Sequence, residues 1–506
     1  MFWWVIILIT PAAFFAVMLY GRMATRSVGS ASTAFRTDVP TTLLDRTISA
    51  ITSRHPHKVG LRLLTDNVEA FATRAAVARM AERSLDLQYY YWKDDLTGRL
   101  LASEVLDAAD RGVRVRLLLD DINALGRDSN YRALDRHPNI EVRLYNPLRC
   151  REGAFLRGLE MVVRFWRVNR RMHNKVWIAD GRVAIVGGRN IGDAYFDASE
   201  ESNFRDMDVS LVGPAVQEAE QMFDRFWNSE MVSPIRNLAD WLHRADLARL
   251  RRRLQRRVLS KRSGEYLGRV DDALRSVASG SGMHWTADAA IVSDPPEKCV
   301  QKGSDGGLVP AIRPILSRAE RSIQITSPYF IPLESGVRMF LDLAGKGVRI
   351  SVLTNSLAAT DVTAVHGAYS RFRKKLLQGG VRLFELRARH GKKNVSLFGS
   401  RGASLHTKAF VVDGQRGFIG SFNFDPRSAS LNTEMGVLFD HAGLAREMQS
   451  VFAEETEATH SYRVVLRDGA TLWHDDSGIV DHEPDATVRR RALAGLVSML
   501  PVESQL

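Results

Sequence analysis

The sequence is poor in cysteine, which excludes two common ways of stabilising a fold. Its 506 residues include only two cysteines, Cys150 and Cys299, which stand far apart and form no CxxC pair. Neither cysteine has the cysteine or histidine neighbours of a zinc site, so we expect two ordinary thiols, without a disulfide framework or a structural metal. Such a chain does not require an oxidising compartment.

Acidic residues are also in deficit. The chain has 58 Asp and Glu against 70 Lys and Arg, which gives a formal net charge of +12. This excess suggests an anionic partner, either nucleic acid or acidic lipid, and charge alone does not separate the two. Hydrophobic residues (45%) and charged residues (25%) are in the proportions of globular proteins. Because 506 residues exceed what one core usually holds, we expect two domains.

Long apolar runs are rare, and the most prominent one is N-terminal. Residues 2–20 contain no charge, and as a helix they would extend about 28 Å, close to the thickness of a bilayer core. Pro11 within the run is tolerated by membrane helices. A cleaved signal peptide is the alternative, but the run is long for one and no Lys or Arg precedes it. Arg22 and Arg26 follow the run, so the positive-inside rule favours an uncleaved anchor over residues 1–26 with the main body in the cytoplasm.

One motif occurs twice in the chain, 233 residues apart. Each copy has a histidine, a lysine, an aspartate and a glycine at successive spacings of 2, 5 and 7, and an asparagine follows the glycine. On a strand, a histidine and a lysine two residues apart point to the same face. The chain therefore directs an imidazole and an ammonium group into one space twice, which predicts an active site. The two sets are His173, Lys175, Asp180, Gly187 and Asn190, and His406, Lys408, Asp413, Gly420 and Asn423.

The duplication extends beyond the motif. A predicted strand, helix and strand precede each copy, at an offset of 238 residues for the first strands and 235 for the glycines that end the helices. This near-constant offset indicates an internal repeat. Strand–helix–strand order implies parallel pairing, hence α/β halves with mixed sheets flanked by helices. We expect a linker or entry segment over residues 27–60, a first domain over 61–235, a basic helical connector over 236–280 and a second domain over 281–506.

Two stretches combine apolar residues at helical spacing with many arginines. Residues 155–172 directly precede the first motif, and a basic amphipathic helix of this kind can lie in a membrane interface. A solvated helix packed on its own domain is an equally good interpretation. Residues 243–262 lie between the halves and predict a charged connector helix that also contacts anionic headgroups.

Two histidines that face one phosphorus atom can divide the work of phosphodiester exchange. One neutral imidazole attacks and forms a phosphohistidine, while the other, protonated, donates to the leaving oxygen and then takes a proton from the incoming alcohol. Lys175 and Lys408 would supply positive charge, and Asn190 and Asn423 would supply donors, for the non-bridging oxygens. The residues alone do not say which histidine attacks.

The two motifs resemble the HKD motifs of the phospholipase D superfamily, whose copies meet at one active site across a pseudo-twofold axis. The resemblance implies two tandem phospholipase D-like domains that use no cofactor and no metal. It further implies His173 as the nucleophile and His406 as the acid and base.

The resemblance also implies two carboxylates that hold the second ring nitrogens, Glu434 in the second half and Asp206 in the first. Asp206 is a departure, since the family usually has Glu there. Asp180 and Asp413 complete the candidate catalytic set by their place in the motif. Each precedes a turn glycine, however, so we interpret both as turn caps.

Further stretches are similar to the bacterial cardiolipin synthases, in particular their C type. This likeness runs from about residue 40 to the C-terminus and implies transfer of a phosphatidyl group to phosphatidylglycerol at the bacterial inner membrane. The implied donor is phosphatidylethanolamine or a second phosphatidylglycerol. Expected partners are these lipids, the membrane and a small accessory protein, but no nucleic acid. Many such enzymes have two anchors, whereas this chain shows one at most. The stretches are residues 171–175, 187–196, 327–332, 354–362, 420–428 and the terminal LPVESQL.

Three other functions stay open from the residues. A phospholipase D hydrolase would use water and release phosphatidic acid, and only the dryness of the pocket decides between the two. A nuclease of the same superfamily would suit the charge but not the anchor. A non-enzymatic scaffold is disfavoured because every catalytic position is intact in both halves. The aromatic residues at 89–92 and 329–330 could stack on bases, but we expect them in the core.

Overall fold

The computed structural model describes residues 28–35, 41–124, 126–151, 153–238, 246–277, 282–299, 307–388 and 404–500. The predicted anchor, residues 1–26, lies outside these ranges. Within them, no helix has both the length and the apolar character needed to cross a bilayer.

Strands and helices alternate through both halves. The strands are β1 Val59–Leu64, β2 Ser84–Tyr89, β3 Arg114–Asp120, β4 Ile140–Tyr145, β5 Val176–Ala179, β6 Val183–Gly187, β7 Phe204–Arg205, β8 Asp208–Val212, β9 Val232–Pro234, β10 His284–Thr286, β11 Ala289–Ser293, β12 Ser322–Thr326, β13 Arg349–Asn355, β14 Arg382–Leu386, β15 Ser404–Leu405, β16 Ala409–Val412, β17 Arg416–Gly420, β18 Met435–Asp440, β19 Ser461–Arg467, β20 Ala470–Asp475 and β21 Gly478–Val480. The α-helices are α1 Leu43–Thr52, α2 Asn67–Met80, α3 Leu96–Asp110, α4 Asp121–Ala124, α5 Asp128–Leu134, α6 Ala154–Val163, α7 Phe165–Val168, α8 Ala215–Trp227, α9 Leu247–Val258, α10 Lys261–Val277, α11 Leu308–Ser317, α12 Leu333–Gly345, α13 Thr363–Gln378, α14 Pro426–Ser430, α15 Ala442–Glu455 and α16 Val488–Ser498.

Each half is built around one mixed sheet. The first sheet has the order β10-β1-β8-β6-β5-β2-β3-β4-β9, and the second has the order β11-β18-β17-β16-β12-β13-β14-β19-β20-β21. The run β8-β6-β5-β2-β3-β4 of the first matches β18-β17-β16-β12-β13-β14 of the second. In both runs the last three strands are parallel, and the strand that follows the histidine motif is antiparallel to its neighbour. The predicted mixed α/β halves are confirmed.

Local sequence signals define the first elements of each repeat. In the first half, Asp66 and Asp95 accept backbone N–H groups at the start of α2 and α3, as N-cap residues do. All six residues of β2 are buried, because helices cover both faces of the sheet. The first predicted strand of this half is β2, which ends at Tyr89.

A single apolar core joins the two halves. It contains residues of β5 and β6 from the first half and of β16 to β18 from the second, together with α8 and α15. Val176 and Ile178 of the first half thus share a core with Val411, Ile419 and Val437 of the second. Both motif strands therefore lie at the junction of the halves, which places the residues that precede them close together.

Part of the expected linker over residues 27–60 is folded against the first half. Helix α1 starts with a capping box in which Thr42 and Asp45 bond each other's backbone. The buried Asp45 carboxylate forms ion pairs with Arg83 and, at 2.6 Å, with Arg182. Beyond the connector, β10 pairs with β1 of the first sheet, although it follows residue 281, where the second domain was expected to begin.

The two basic stretches are each divided into two helices. The predicted helix over residues 155–172 is α6 and α7, which break at Arg164. The connector consists of α9 and α10. Helix α9 buries Leu250 and Leu254 of its apolar stripe and packs on α3, so this part of the connector belongs to the first half.

Candidate active site

The two motif histidines line one cavity of about 720 Å³. His173 and His406 lie on extended segments that end just before β5 and β16 begin. The rest of the lining comes from both halves, including Asn190 from the first and Asn423 from the second. The predicted meeting of the two motifs in one space is what the structure contains.

Each histidine is held in place by the backbone of the opposite half. The His173 N–H donates to the Thr433 carbonyl at 2.9 Å, and the His406 N–H donates to the Arg205 carbonyl at 2.8 Å. At the second contact, β15 and β7 form a small parallel sheet across the halves. The residue that follows each of these carbonyls is one of the two predicted carboxylates.

Each carboxylate consequently contacts the histidine of the opposite half. The Nδ1 atom of His173 lies 2.9 Å from Oε2 of Glu434, and the Nδ1 atom of His406 lies 2.6 Å from Oδ2 of Asp206. All four side chains are largely buried. Each carboxylate selects the tautomer with hydrogen on Nδ1 and leaves Nε2 for chemistry. The sequence predicted these carboxylates but not that each serves the histidine of the other half.

The two carboxylates have different surroundings. Glu434 also accepts hydrogen bonds from the hydroxyls of Ser421 and Ser428. Gly188 occupies the place of Ser421 in the first half, and a Cβ atom there would meet Oδ1 of Asp206 at 2.2 Å. The first half therefore has room for the carboxylate of Asp206 but not for the serine that supports Glu434.

These contacts separate the pKa values of the two carboxylates. Burial opposes ionisation of Glu434, but His173, Lys175 and Ser421 outweigh it and lower the pKa of Glu434. Burial raises the pKa of Asp206 in spite of the nearby Lys408. Glu434 is thus the more firmly ionised partner.

Neither motif lysine lines the cavity, but each contacts the histidine of its own motif. Nζ of Lys175 donates to the carbonyl of His173, and Nζ of Lys408 donates to the carbonyl of His406 and lies 3.0 Å from its Nδ1. Burial lowers the pKa of Lys408 to about 8 and that of Lys175 well below its ordinary value. These ammonium groups would gain from an anion in the cavity.

Burial also lowers the pKa of both histidines. The pKa of His173 falls to about 4, although the Glu434 carboxylate opposes the shift. The pKa of His406 is well below its ordinary value because burial acts together with the charges of Lys408 and Lys175. A phosphate group that enters the cavity favours the charged forms of all four basic side chains.

The remaining motif residues fall into two groups. Asn190 and Asn423 line the cavity, and the Asn190 amide donates to the Tyr195 hydroxyl at 3.2 Å. Asp180 accepts backbone N–H groups at the start of β2, and Asp413 does the same at the start of β12. Neither aspartate lines the cavity, so both act as caps at the sheet and do not touch the space between the histidines.

The family model described as "Cardiolipin synthase, PLD-like domain" matches residues 75–227 and 312–456. The chain belongs to this family. It is 43% identical over 465 residues to cardiolipin synthase C of Escherichia coli (strain K12), with 89% of this chain and 97% of that protein covered. It is 33% identical over 456 residues to an uncharacterized protein of Helicobacter pylori (strain ATCC 700392 / 26695), with 88% and 89% covered. The predicted family resemblance is confirmed.

A solved structure supports the fold. Phosphatidylserine synthase of Haemophilus influenzae Rd KW20 superposes with a TM-score of 0.57 at 13% identity, covering 90% of this chain and 99% of that chain. At this identity the likeness concerns the architecture alone. Of the two ranges that match the family model, 75–227 contains His173 and Asp206, and 312–456 contains His406 and Glu434. Each carboxylate contacts the histidine of the other range.

Several cavity residues were missed in the sequence. The Tyr195 hydroxyl lies 3.3 Å from Nε2 of His406, and the Tyr90 ring meets the His173 ring edge-on at 5.1 Å. Tyr89 and Phe330 are buried in the core as expected, but Tyr90 and Tyr329 line the cavity. One signal in the sequence could have indicated this: side chains alternate along an extended backbone, so Tyr90 points to the face opposite the one on which Tyr89 is buried.

One group of side chains elsewhere has the spacing of a metal site. Within the described ranges, His366, Glu385 and Glu483 bring their ligand atoms together. The Arg373 guanidinium already lies among them, 2.8 Å from Glu483, 2.8 Å from His366 and 3.2 Å from Glu385. The buried guanidinium of Arg373 thus lies where a metal ion would be bound. Its contacts connect the segment before α16 to α13.

Proposed function

We propose that this chain is a cardiolipin synthase, which transfers a phosphatidyl group to phosphatidylglycerol. The observation that carries this proposal is the single cavity in which His173 and His406 meet, each against a buried carboxylate from the opposite half. Two imidazoles in one cavity, each with Nε2 clear of its carboxylate, suit a displacement at phosphorus followed by its reversal with a second alcohol.

His173 is the proposed nucleophile. With Nδ1–H bonded to Glu434, its Nε2 lone pair attacks the phosphorus of the donor lipid, and the bond from phosphorus to the headgroup oxygen breaks. A pKa of about 4 keeps His173 neutral near pH 7. The ionised Glu434 stabilises the positive imidazole that forms on attack, and this advantage over Asp206 supports the choice of His173.

His406 is the proposed acid and base. The lipid phosphate favours the charged imidazolium of His406, and its Nε2 proton passes to the leaving headgroup oxygen in the first step. In the second step the phosphatidylglycerol hydroxyl gives its proton to His406 and attacks phosphorus, and the bond from nitrogen to phosphorus breaks. Lys175 and Lys408 oppose the negative charge that the phosphoryl oxygens gain in both steps, with Asn190 and Asn423 as further donors.

Phosphatidylethanolamine is the donor that we propose, with a second phosphatidylglycerol as the alternative. Asp361 and Glu201 place carboxylates in the wall of the same cavity, where an ethanolamine ammonium group would be attracted. Vesicles with phosphatidylglycerol and labelled phosphatidylethanolamine should release free ethanolamine. Equal cardiolipin from phosphatidylglycerol alone, with glycerol as the only released alcohol, would contradict this choice of donor.

The proposed setting is the bacterial inner membrane. Residues 1–26 would form its anchor, and a small accessory protein remains a further proposed partner. We also propose residues 61–235 and 281–506 as the two domains and residues 236–280 as the connector. The internal duplication in the sequence supports two domains, and β10 departs from these limits because it pairs with the first sheet.

The deciding experiment compares the lipids of cells that lack cardiolipin after expression of this chain or its His406→Ala variant. Cardiolipin with the first and none with the second is the expected result. A rise in phosphatidic acid without cardiolipin would show a hydrolase instead. No change in any lipid would overturn the proposal or require the accessory partner, and purified chain in lipid vesicles would separate those two.

A further inference from the structure

Helices α6 and α7 expose the side that a soluble helix normally buries. The exposed fraction is 81% for Phe155, 74% for Val162 and 71% for Trp166, and Val163 and Phe165 are also exposed. These five residues form what we call the apolar face. Contiguous exposed apolar side chains on a folded domain mark a contact surface. The helix is therefore oriented for a partner outside the chain's own core.

Polar contacts hold this orientation. Glu160 is the buried residue of α6. Its carboxylate accepts the N–H groups of Arg149 and Cys150 at 2.9 and 2.7 Å and pairs with Arg164. Since a buried carboxylate with three partners cannot exchange places with Phe155 or Trp166 without losing them, the apolar face stays outward.

Positive charge surrounds the apolar face. Arg157 and Arg167 are interleaved with the apolar residues of the two helices, and Arg170 follows α7; all three are half-buried. Arg167 also donates to Asn146 and Arg170 to the Lys298 carbonyl, so these contacts fix their positions beside the face. Arg149 lies in the same positive environment. Burial and the charges of Arg164 and Arg167 together lower the pKa of Arg149 to about 10. Aromatic and aliphatic side chains bordered by arginines suit the interface of an anionic bilayer, where rings enter the acyl boundary and guanidinium groups meet phosphates.

The segment that follows α7 leads directly to the catalytic cavity. The chain leaves α7 and reaches His173 within a few residues. On the way, Asn169 accepts hydrogen bonds from the side chain of Arg427, which lines the cavity. A lipid surface seated on α6 and α7 would therefore lie next to the space in which the histidines meet.

We propose that the apolar face of α6 and α7 docks onto the surface of an anionic lipid bilayer and places the cavity against the headgroups. This contact is additional to any N-terminal anchor, and it does not depend on which reaction the cavity catalyses. A second copy of this chain on the same face would be the competing occupant.

Quenching by brominated lipids tests the contact directly. The full chain, with both native cysteines replaced by alanine, carries Val162→Cys labelled with an environment-sensitive dye in phosphatidylglycerol–phosphatidylcholine vesicles. Ile479→Cys is the matched control, because Ile479 is 53% exposed on β21 and lies between Asp476 and Asp481, outside both basic stretches. Lipids brominated in the acyl chains should quench the dye at position 162 several times more strongly than at 479. Equal quenching at both positions, or shielding at 162 that follows protein concentration and not lipid, would overturn the proposal.

Catalysis gives a second readout. The variant with Phe155→Ser, Val162→Ser and Trp166→Ser should lower kcat/KM on long-chain lipid in anionic vesicles by at least about tenfold. On a short-chain, monomeric phosphodiester it should match the parent, as should Ile479→Ser on both substrates. Full activity of the triple variant on vesicles, or an equal loss on both substrates, would overturn the proposal. Because the quenching experiment uses no turnover, it also succeeds or fails independently of the proposed reaction.

Discussion

Among single residues, the difference between the two histidines matters most for mechanism. His173 faces a glutamate supported by two serine hydroxyls, whereas His406 faces an aspartate whose pKa burial raises. An ionised partner stabilises the positive charge that an attacking imidazole acquires. Two sites made by duplication have thus diverged in the groups behind each ring.

This difference predicts which histidine becomes phosphorylated. The His406→Ala variant should lose about 10²–10⁴-fold in steady-state turnover on lipids, the range typical for a lost general acid. With a nitrophenyl phosphodiester, whose leaving group needs no proton, it should still form a phosphohistidine at His173, detectable as a mass shift of the peptide. The His173→Ala variant should form none. Modification at His406 in that variant would reverse the assignment.

The lowered pKa values predict the pH dependence of kcat/KM, which reports the free enzyme. The attacking His173 must be neutral, so activity should rise as pH increases through about 4. Lys408 must be charged to stabilise the phosphoryl oxygens, so activity should fall as pH increases through about 8. A soluble nitrophenyl phosphodiester, whose leaving group needs no proton from His406, tests both limbs when measured from pH 3 to 10. A constant rate from pH 7 to 10 would show that the ammonium of Lys408 is not needed.

At the scale of secondary structure elements, α1 stands out because it precedes the duplicated strand–helix–strand unit and is nevertheless held on the first half by ion pairs. Its Asp45 carboxylate caps the helix and pairs with Arg83 and Arg182 on the first half. The Asp45→Asn variant should lower the free energy of unfolding by about 3 kcal/mol, the usual result of breaking a buried ion pair. Turnover below the unfolding transition should be unchanged, since the residue does not line the cavity.

The same contacts give this effect a pH dependence. The hydrogen bonds with arginines and backbone N–H groups outweigh burial and lower the pKa of Asp45 in the folded state. Its stabilisation should therefore be present above about pH 4, the unfolded pKa, and be lost as pH falls and the carboxylate binds a proton. Denaturant titrations at pH 7 and pH 3 should show a gap between parent and variant that narrows at pH 3. A gap that is constant with pH would contradict the ion pair.

Secondary structure also shows why some features could be predicted and others could not. The strand, helix and strand of each half were predictable because periodicity and turn glycines are local properties. The apolar stripe of α6 was visible too, but periodicity does not say which face is buried, and Glu160 decides this through contacts with Arg149 and Cys150. The exchange of Asp206 and Glu434 depends on backbone pairing between halves, which spacing within one half does not contain.

At the scale of the whole molecule, the two halves depend on each other for both stability and chemistry. One core contains side chains of both sheets, and each motif histidine takes its backbone acceptor and its carboxylate from the opposite half. Neither half by itself could orient its imidazole in this way. Loss of either half is therefore expected to disable both histidines.

A shared core predicts cooperative unfolding. Separating the sheets would expose apolar residues such as Ile178 and Val437 to water. We therefore expect the full chain to unfold in one calorimetric transition and not two. A Val437→Asp variant should shift that single transition to lower temperature. It should also abolish the fixed pairing of His173 with Glu434, which is measured as loss of turnover at a temperature where the variant is still folded. Two resolved transitions in the parent, with activity lost at the first, would show that the halves are stable separately and that only their docking creates the site.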